Sequence, residues 1–140
     1  MRILGLDLGT KTLGVSVSDK TAFIASSVTT LRFSENSPNE ILGELGKIID
    51  EYDVKEIVIG LPKNMNNTLG FAAQRTKEFE KVLTKEFKLP VHEQDERLSS
   101  VSANNVLLQA DVSRKKRKEK VDTVAATIIL QNYLDRRKEK

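Results

Sequence analysis

Four acidic positions stand where packing alone would not put them. Asp7 interrupts an otherwise apolar run, Arg2-Ile3-Leu4-Gly5-Leu6-Asp7-Leu8. An unpaired buried carboxylate is costly, so Asp7 needs a cation, hydrogen-bond donors or water. The turn Gly9-Thr10-Lys11 that follows offers donors, and a strand end beside a glycine turn also suits a metal ligand. Asp95 and Glu96 are adjacent at the end of a polar strand. Strand alternation lets only one of them share a face with a catalytic centre. Asp122 lies on the helical stripe 122, 125, 126, 129, 133, which reads Asp, Ala, Ala, Ile, Tyr. A carboxylate therefore sits on the stripe that packs, next to two alanines small enough to let a helix approach a sheet closely. A first-turn Asp stabilised by the helix dipole is the ordinary structural explanation.

The chemistry these residues offer is that of hard cations. The chain has no Cys and a single His, His92, so thiol catalysis, disulfide scaffolds, Cys-based zinc sites and His-rich metal sites are excluded. Clustered carboxylates without nitrogen or sulfur ligands favour Mg²⁺ or Mn²⁺. A pair of such ions activates water and stabilises a departing oxygen in phosphodiester hydrolysis.

A polyanionic substrate needs cations to hold it. The formal net charge of +3 hides an acidic body carrying two basic segments. Arg114-Lys115-Lys116-Arg117-Lys118-Glu119-Lys120 has a net charge of +5, the tail 135–140 adds +2, and the remainder is −4. Such segments are candidate phosphate contacts. The basic run has no apolar anchor and repels itself, so it is expected to be a loop that orders on nucleic acid.

The elements that must position these groups read as one α/β unit. With 140 residues, 39% of them hydrophobic, the chain has the size and composition of a single globular domain, taken as 1–140. No apolar run approaches the ~20 residues of a membrane span, and the first residues do not read as a signal peptide. Strands are expected at 2–8, 13–18 and 22–31, as an antiparallel meander. Ser37-Pro38-Asn39-Glu40 has the form of a capping box, opening a helix through Ile41, Leu45, Ile48, Ile49 and Tyr52. A fully covered strand at 55–61, a helix at 69–87, a strand at 90–96 and helices near 100–110 and 120–136 complete the order. The natural packing is a mixed five-stranded sheet, three antiparallel strands then two parallel, flanked by helices.

Four segments carry a family resemblance. Asp7-Leu8-Gly9-Thr10-Lys11-Thr12-Leu13-Gly14 resembles the opening motif of the YqgF/RuvX family of bacterial proteins. Gly60-Leu61-Pro62-Lys63-Asn64-Met65 resembles its central loop, Asp95-Glu96-Arg97-Leu98-Ser99-Ser100 its third motif, and Lys120 to Gln131 its last helix. The four occur in the family's order across nearly the whole chain, with departures at Asn67 and Ser100. The resemblance implies a ribonuclease-H-like fold and a cytoplasmic nuclease that processes the 5' end of precursor 16S ribosomal RNA in ribosome biogenesis. An older label for relatives is Holliday-junction resolvase-like.

By position, the resemblance makes Asp7, Asp122 and one of Asp95 and Glu96, with Glu96 favoured, the ligands of Mg²⁺ or Mn²⁺. Lys11, Arg97, Arg114, Lys115, Lys116, Arg117 and Lys118 are the expected substrate contacts. His92 is expected to be a strand residue without a catalytic part. The expected partners are precursor ribosomal RNA, branched DNA and ribosomal particles. Two other classes compete. An ATPase of the actin and sugar-kinase kind shares the spacing of Asp7 to Gly14, but needs a second domain. A non-catalytic RNA-binding assembly factor would keep the fold and lose the metals.

Overall fold

The computed structural model describes residues 2–35, 37–61, 71–95 and 114–138; at 71–72, 95, 114–123 and 137–138 it describes the backbone alone. Five strands form one mixed sheet: β1 (Arg2–Leu8), β2 (Thr12–Ser18), β3 (Ala25–Arg32), β4 (Val54–Leu61) and β5 (Val91–Asp95). The order across the sheet is β3-β2-β1-β4-β5. β1 pairs antiparallel with β2 and parallel with β4, and β5 runs parallel to β4. The helices are α1 (Leu42–Tyr52), α2 (Phe71–Phe87) and α3 (Arg114–Lys138). The expected helix near 100–110 lies outside the described residues.

Strand alternation divides the core into two layers. Leu4, Leu6 and Leu8 of β1, Leu13, Val15 and Val17 of β2, and Ile57 and Ile59 of β4 pack against Ile41, Leu45, Ile49, Phe79 and Leu83. Ile3 and Val58 point the other way and pack against Ile129, Leu130 and Leu134 of α3. The α3 side is built from smaller residues. Gly5 stands opposite Ser16, and Asp7 opposite Gly14. That leaves room for α3 to lie close to the strands.

Three local readings change. The helix after Ser37 does not begin with a capping box. Pro38–Ile41 is a turn of 3-10 helix, Ser37 makes no side-chain cap, and the α-helix starts at Leu42. The Glu40 carboxylate instead accepts the Ser34 N–H at 2.9 Å. β3 begins at Ala25 and not at residue 22, because the Asp19 carboxylate gathers the preceding turn. It accepts the N–H groups of Phe23 and Ile24 at 2.8 and 3.0 Å and the Thr21 hydroxyl. These donors hold the Asp19 carboxyl well below the usual carboxylate range. Finally, the basic run 114–120 is not a loop but the first turns of α3.

Candidate metal centre

α3 docks on the sheet through its own backbone. The buried Ser16 hydroxyl donates to the Ala126 carbonyl at 2.9 Å, and Ala125, Ala126, Ile129 and Leu130 are fully buried. A Cβ on Gly5 would lie 2.7 Å from Leu130 Cβ and 3.2 Å from the Ala126 carbonyl oxygen. This is the close approach that the paired alanines predict. At the far end, Gln131 locks the helix to the β2–β3 turn. Its Nε2 donates to the Phe23 carbonyl at 3.0 Å, and its Oε1 accepts the Ala25 N–H at 2.9 Å.

These contacts fix the direction of α3. Ile3 clusters with Leu130 and Leu134, and Gly5 meets Leu130 and Ala126. Two residues along a strand cover about 6.6 Å and one helical turn about 5.4 Å, so β1 and α3 run in opposite directions turn by turn. Asp7, the next residue of β1 on this face, comes level with the turn before Ala126, where Asp122 stands. Asp7 is half-buried between the buried Leu6 and Leu8. α3 is 25 residues long, or about 37 Å. Its first turns, Arg114 to Lys120, lie before the packed stretch, on the side of the C-terminal strand ends.

The same face continues across β4 and β5. Gly5 pairs with Val58, and Val58 with His92. His92 stacks on Tyr133 of α3, with ring centroids 5.6 Å apart, and Gln94 accepts a hydrogen bond from Arg136 of α3 at 3.1 Å. The even positions of β5 therefore share the face of Asp7. Glu93 lies on the opposite side, where Lys77 of α2 pairs with it at 3.0 Å. Asp95 is the last described residue of β5; Glu96 and Arg97 lie outside the described residues. Lys11 is exposed in the β1–β2 turn, close to Asp7 along the chain. The Gly9 N–H closes that turn on the Thr12 carbonyl at 2.8 Å. Among the described residues, no three His, Asp or Glu side chains form a metal-holding group. Gly5, Ser16 and the His92–Tyr133 pair are absent from the site residues expected from sequence. A glycine inside a strand is itself the signal of a close backbone approach.

Beside Glu93, the half-buried Glu80 carboxyl is pushed up to about 7 by burial and by the Glu93 charge. The folded value lies above the ordinary value of 4.5. The folded chain therefore holds a proton that the unfolded chain has released, and stability falls as pH rises through that window. Glu80→Gln is expected to raise the melting temperature at pH 8 and leave it nearly unchanged at pH 4, about half a unit below the unfolded value. Equal melting temperatures at pH 8 would remove Glu80 from this linkage.

The family model described as "RuvX: Holliday junction resolvase" matches residues 1–136. A protein of Geobacillus sp. strain WCH70 named "Putative pre-16S rRNA nuclease" is 53% identical over 135 residues, 96% of this chain and 98% of the relative. Among solved structures, T. thermophilus RuvC in complex with a Holliday junction substrate is similar, with a TM-score of 0.61 at 16% identity, covering 99% of this chain and 96% of that one. The Fowlpox virus resolvase bound to Holliday junction DNA gives a TM-score of 0.60 at 12% identity, covering 97% and 98%. The fold is ribonuclease-H-like.

Proposed function

The chain belongs to the RuvX family, and from that premise we propose that it is a divalent-metal-dependent nuclease acting at the 5' end of precursor 16S ribosomal RNA. The observation that carries this reading is the 53% identity, over 96% of the chain, to a relative bearing that name. Such work belongs in the cytoplasm, on precursor RNA or ribosomal particles. Among the described residues no helix is long and apolar enough to cross a membrane.

Asp7, Glu96 and Asp122 are the proposed holders of Mg²⁺ or Mn²⁺. The donor set fits, since it offers oxygen only and has no competing thiol. Asp7 stands at the carboxyl end of β1, the usual place for a ligand in sheets of this kind. Glu96 is preferred to Asp95 because it stands two residues after Gln94 in the sequence, and Gln94 faces α3. When bound, paired ions lower the pKa of a coordinated water and stabilise the departing oxygen. The chain's part is to hold three carboxylates on one face and to grip the polyanion around them. Lys11, Arg97 and the basic turns of α3, Arg114 to Lys118, are the proposed phosphate contacts. Attack by water leaves no covalent enzyme intermediate.

The basic turns now need a different account of their response to substrate. They form the N-terminus of a helix, where positive charge opposes the helix dipole. Phosphates relieve that repulsion. Changing Arg114, Lys115, Lys116 and Arg117 to Ser is expected to weaken binding at every sequence and to flatten the plot of log affinity against log salt. The change is about 0.7 per lost contact on a single strand. Turnover of bound substrate should change much less. Unchanged affinity with lost turnover would mean that these turns place Asp122 and do not hold substrate.

The test of the whole reading is cleavage of 5'-extended 16S RNA and of four-way branched DNA, side by side, with and without Mg²⁺ or Mn²⁺. Metal-dependent cleavage of the RNA supports it. Cleavage of the branched DNA alone would support the resolvase activity in the family's description. Binding without cleavage of either would support the assembly-factor alternative.

A further inference from the structure

We infer that the cleft at the β5 edge of the sheet, between α2 and α3, is a subsite for one unpaired nucleobase of a single-stranded nucleic acid. The inference rests on the nuclease reading above and names a feature of its substrate. The cleft has a volume of about 520 Å³ and is lined by Glu80, His92, Glu93, Gln94, Tyr133 and Arg136. That is within the range of about 300–1,000 Å³ for small-molecule sites.

The cleft holds an aromatic platform. The rings of His92 and Tyr133 stack at 5.6 Å with 24° between their planes. The His92 side chain is still 42% exposed, and its Nε2 lies 3.7 Å from Glu56. Tyr133 backs the imidazole, so the ring is oriented before any ligand arrives. A half-open ring at the end of a stack is the arrangement on which nucleobases pile in single-strand sites.

Charge separates base from backbone. Glu93 lines the cleft paired with Lys77, and Glu80 beside it is held partly protonated near neutral pH, so their oxygens are offered to the edge of a base and not to a phosphate. Carboxylates accept hydrogen bonds from exocyclic amino groups, so the cleft favours adenine, cytosine or guanine over uracil. Arg136 is exposed and donates to Gln94 Oε1 at 3.1 Å. Its guanidinium suits a phosphate beside the bound base. His92 precedes Asp95, the last described residue of β5, by three residues, about 10 Å along the strand. A base here would be a few nucleotides from the phosphate cleaved at the sheet edge. A base paired in a duplex is not available to this cleft.

The test measures affinity, without divalent metal, for a short single-stranded RNA and for the same sequence as a duplex. His92→Ala should weaken single-strand binding about tenfold and leave duplex binding unchanged. His92→Phe should restore single-strand binding to near wild type, which a role in folding alone would not predict. A uridine homopolymer should bind more weakly than an adenosine one. Equal losses on single strand and duplex, or no loss on either, would overturn the subsite. Wild-type protein that binds single-stranded RNA while His92→Ala binds it equally well would sink the subsite alone. Wild-type protein that binds neither RNA would overturn the nuclease reading and the subsite with it.

Discussion

Replacing Asp7 by Asn is expected to lower phosphodiester cleavage by about a thousandfold or more. A ligand that helps to hold a catalytic metal contributes several kcal/mol to the transition state, and each 1.36 kcal/mol is about a tenfold change in rate. The fold should survive. Asp7 is half-buried at the carboxyl end of the central strand β1, and Asn keeps its size and shape. Without metal the variant should be as stable as the wild type, or slightly more so, because one negative charge is removed from the proposed set of metal-holding carboxylates. Thermal melts with and without Mn²⁺ separate ligand from scaffold. Mn²⁺ should raise the melting temperature of the wild type by mass action and lose most of that effect in Asp7→Asn. An identical Mn²⁺ shift in both proteins would show that Asp7 is not a ligand.

Gly5→Ala is expected to have a large effect on stability and to damage activity from a distance. The new Cβ would lie 2.4 Å from Ser16 Oγ and 2.7 Å from Leu130 Cβ. Ser16 cannot turn away without giving up its hydrogen bond to the Ala126 carbonyl, and a Cβ cannot turn at all. α3 must therefore shift outward. Overpacking of this kind costs about 2–3 kcal/mol, or about 6–12 °C in melting temperature for a chain of this size. Because α3 carries Asp122, cleavage well below the melting temperature should fall at least about tenfold, since small displacements of reacting groups are costly. Leu45→Ala, in the other layer, is the control. It should cost comparable stability and leave cleavage of the folded fraction near wild type. Gly5→Ala with wild-type stability and activity would mean that the docking of α3 tolerates the added methyl.

The sheet was legible because its signals are local. β1 and β4 read as strands from short apolar runs, and Val15 and Val17 gave β2 by alternation. The close approach of α3 was legible in Ala125 and Ala126, both fully buried. What sequence missed depends on which of several partners a polar group chooses. Ser37 and Glu40 have the spacing of a capping box, yet Glu40 accepts from Ser34. Asp19 takes over residues that their β-branched and aromatic side chains assign to a strand.

In the basic run, two physical effects oppose each other. Self-repulsion favours a loop, but Arg, Lys and Glu are good helix formers. The packed stretch Val124–Leu134 is a helix already nucleated, and the run extends it. At the candidate site, the acidic positions were visible because carboxylates break an apolar pattern. Gly5 carried a signal, since a glycine inside a strand marks a close backbone approach, but neither it nor Ser16 says which element comes close. The pairing of His92 with Tyr133 joins residues distant in sequence, and only the packing of α3 across β5 reveals it.

The central claim is that one face of the sheet edge gathers the three carboxylates, and the register of β5 makes it testable by a single comparison. The measurement is metal-dependent turnover of a 5'-extended 16S RNA fragment by Glu96→Gln and by Asp95→Asn. His92 and Gln94 share the α3 face with Asp7, and the proposal is that Glu96, two residues further on, acts with them while Asp95 does not. Glu96→Gln is predicted to lose cleavage while Asp95→Asn keeps most of it. Lost cleavage in Asp95→Asn with activity retained in Glu96→Gln, or near-full activity in both, would contradict the account.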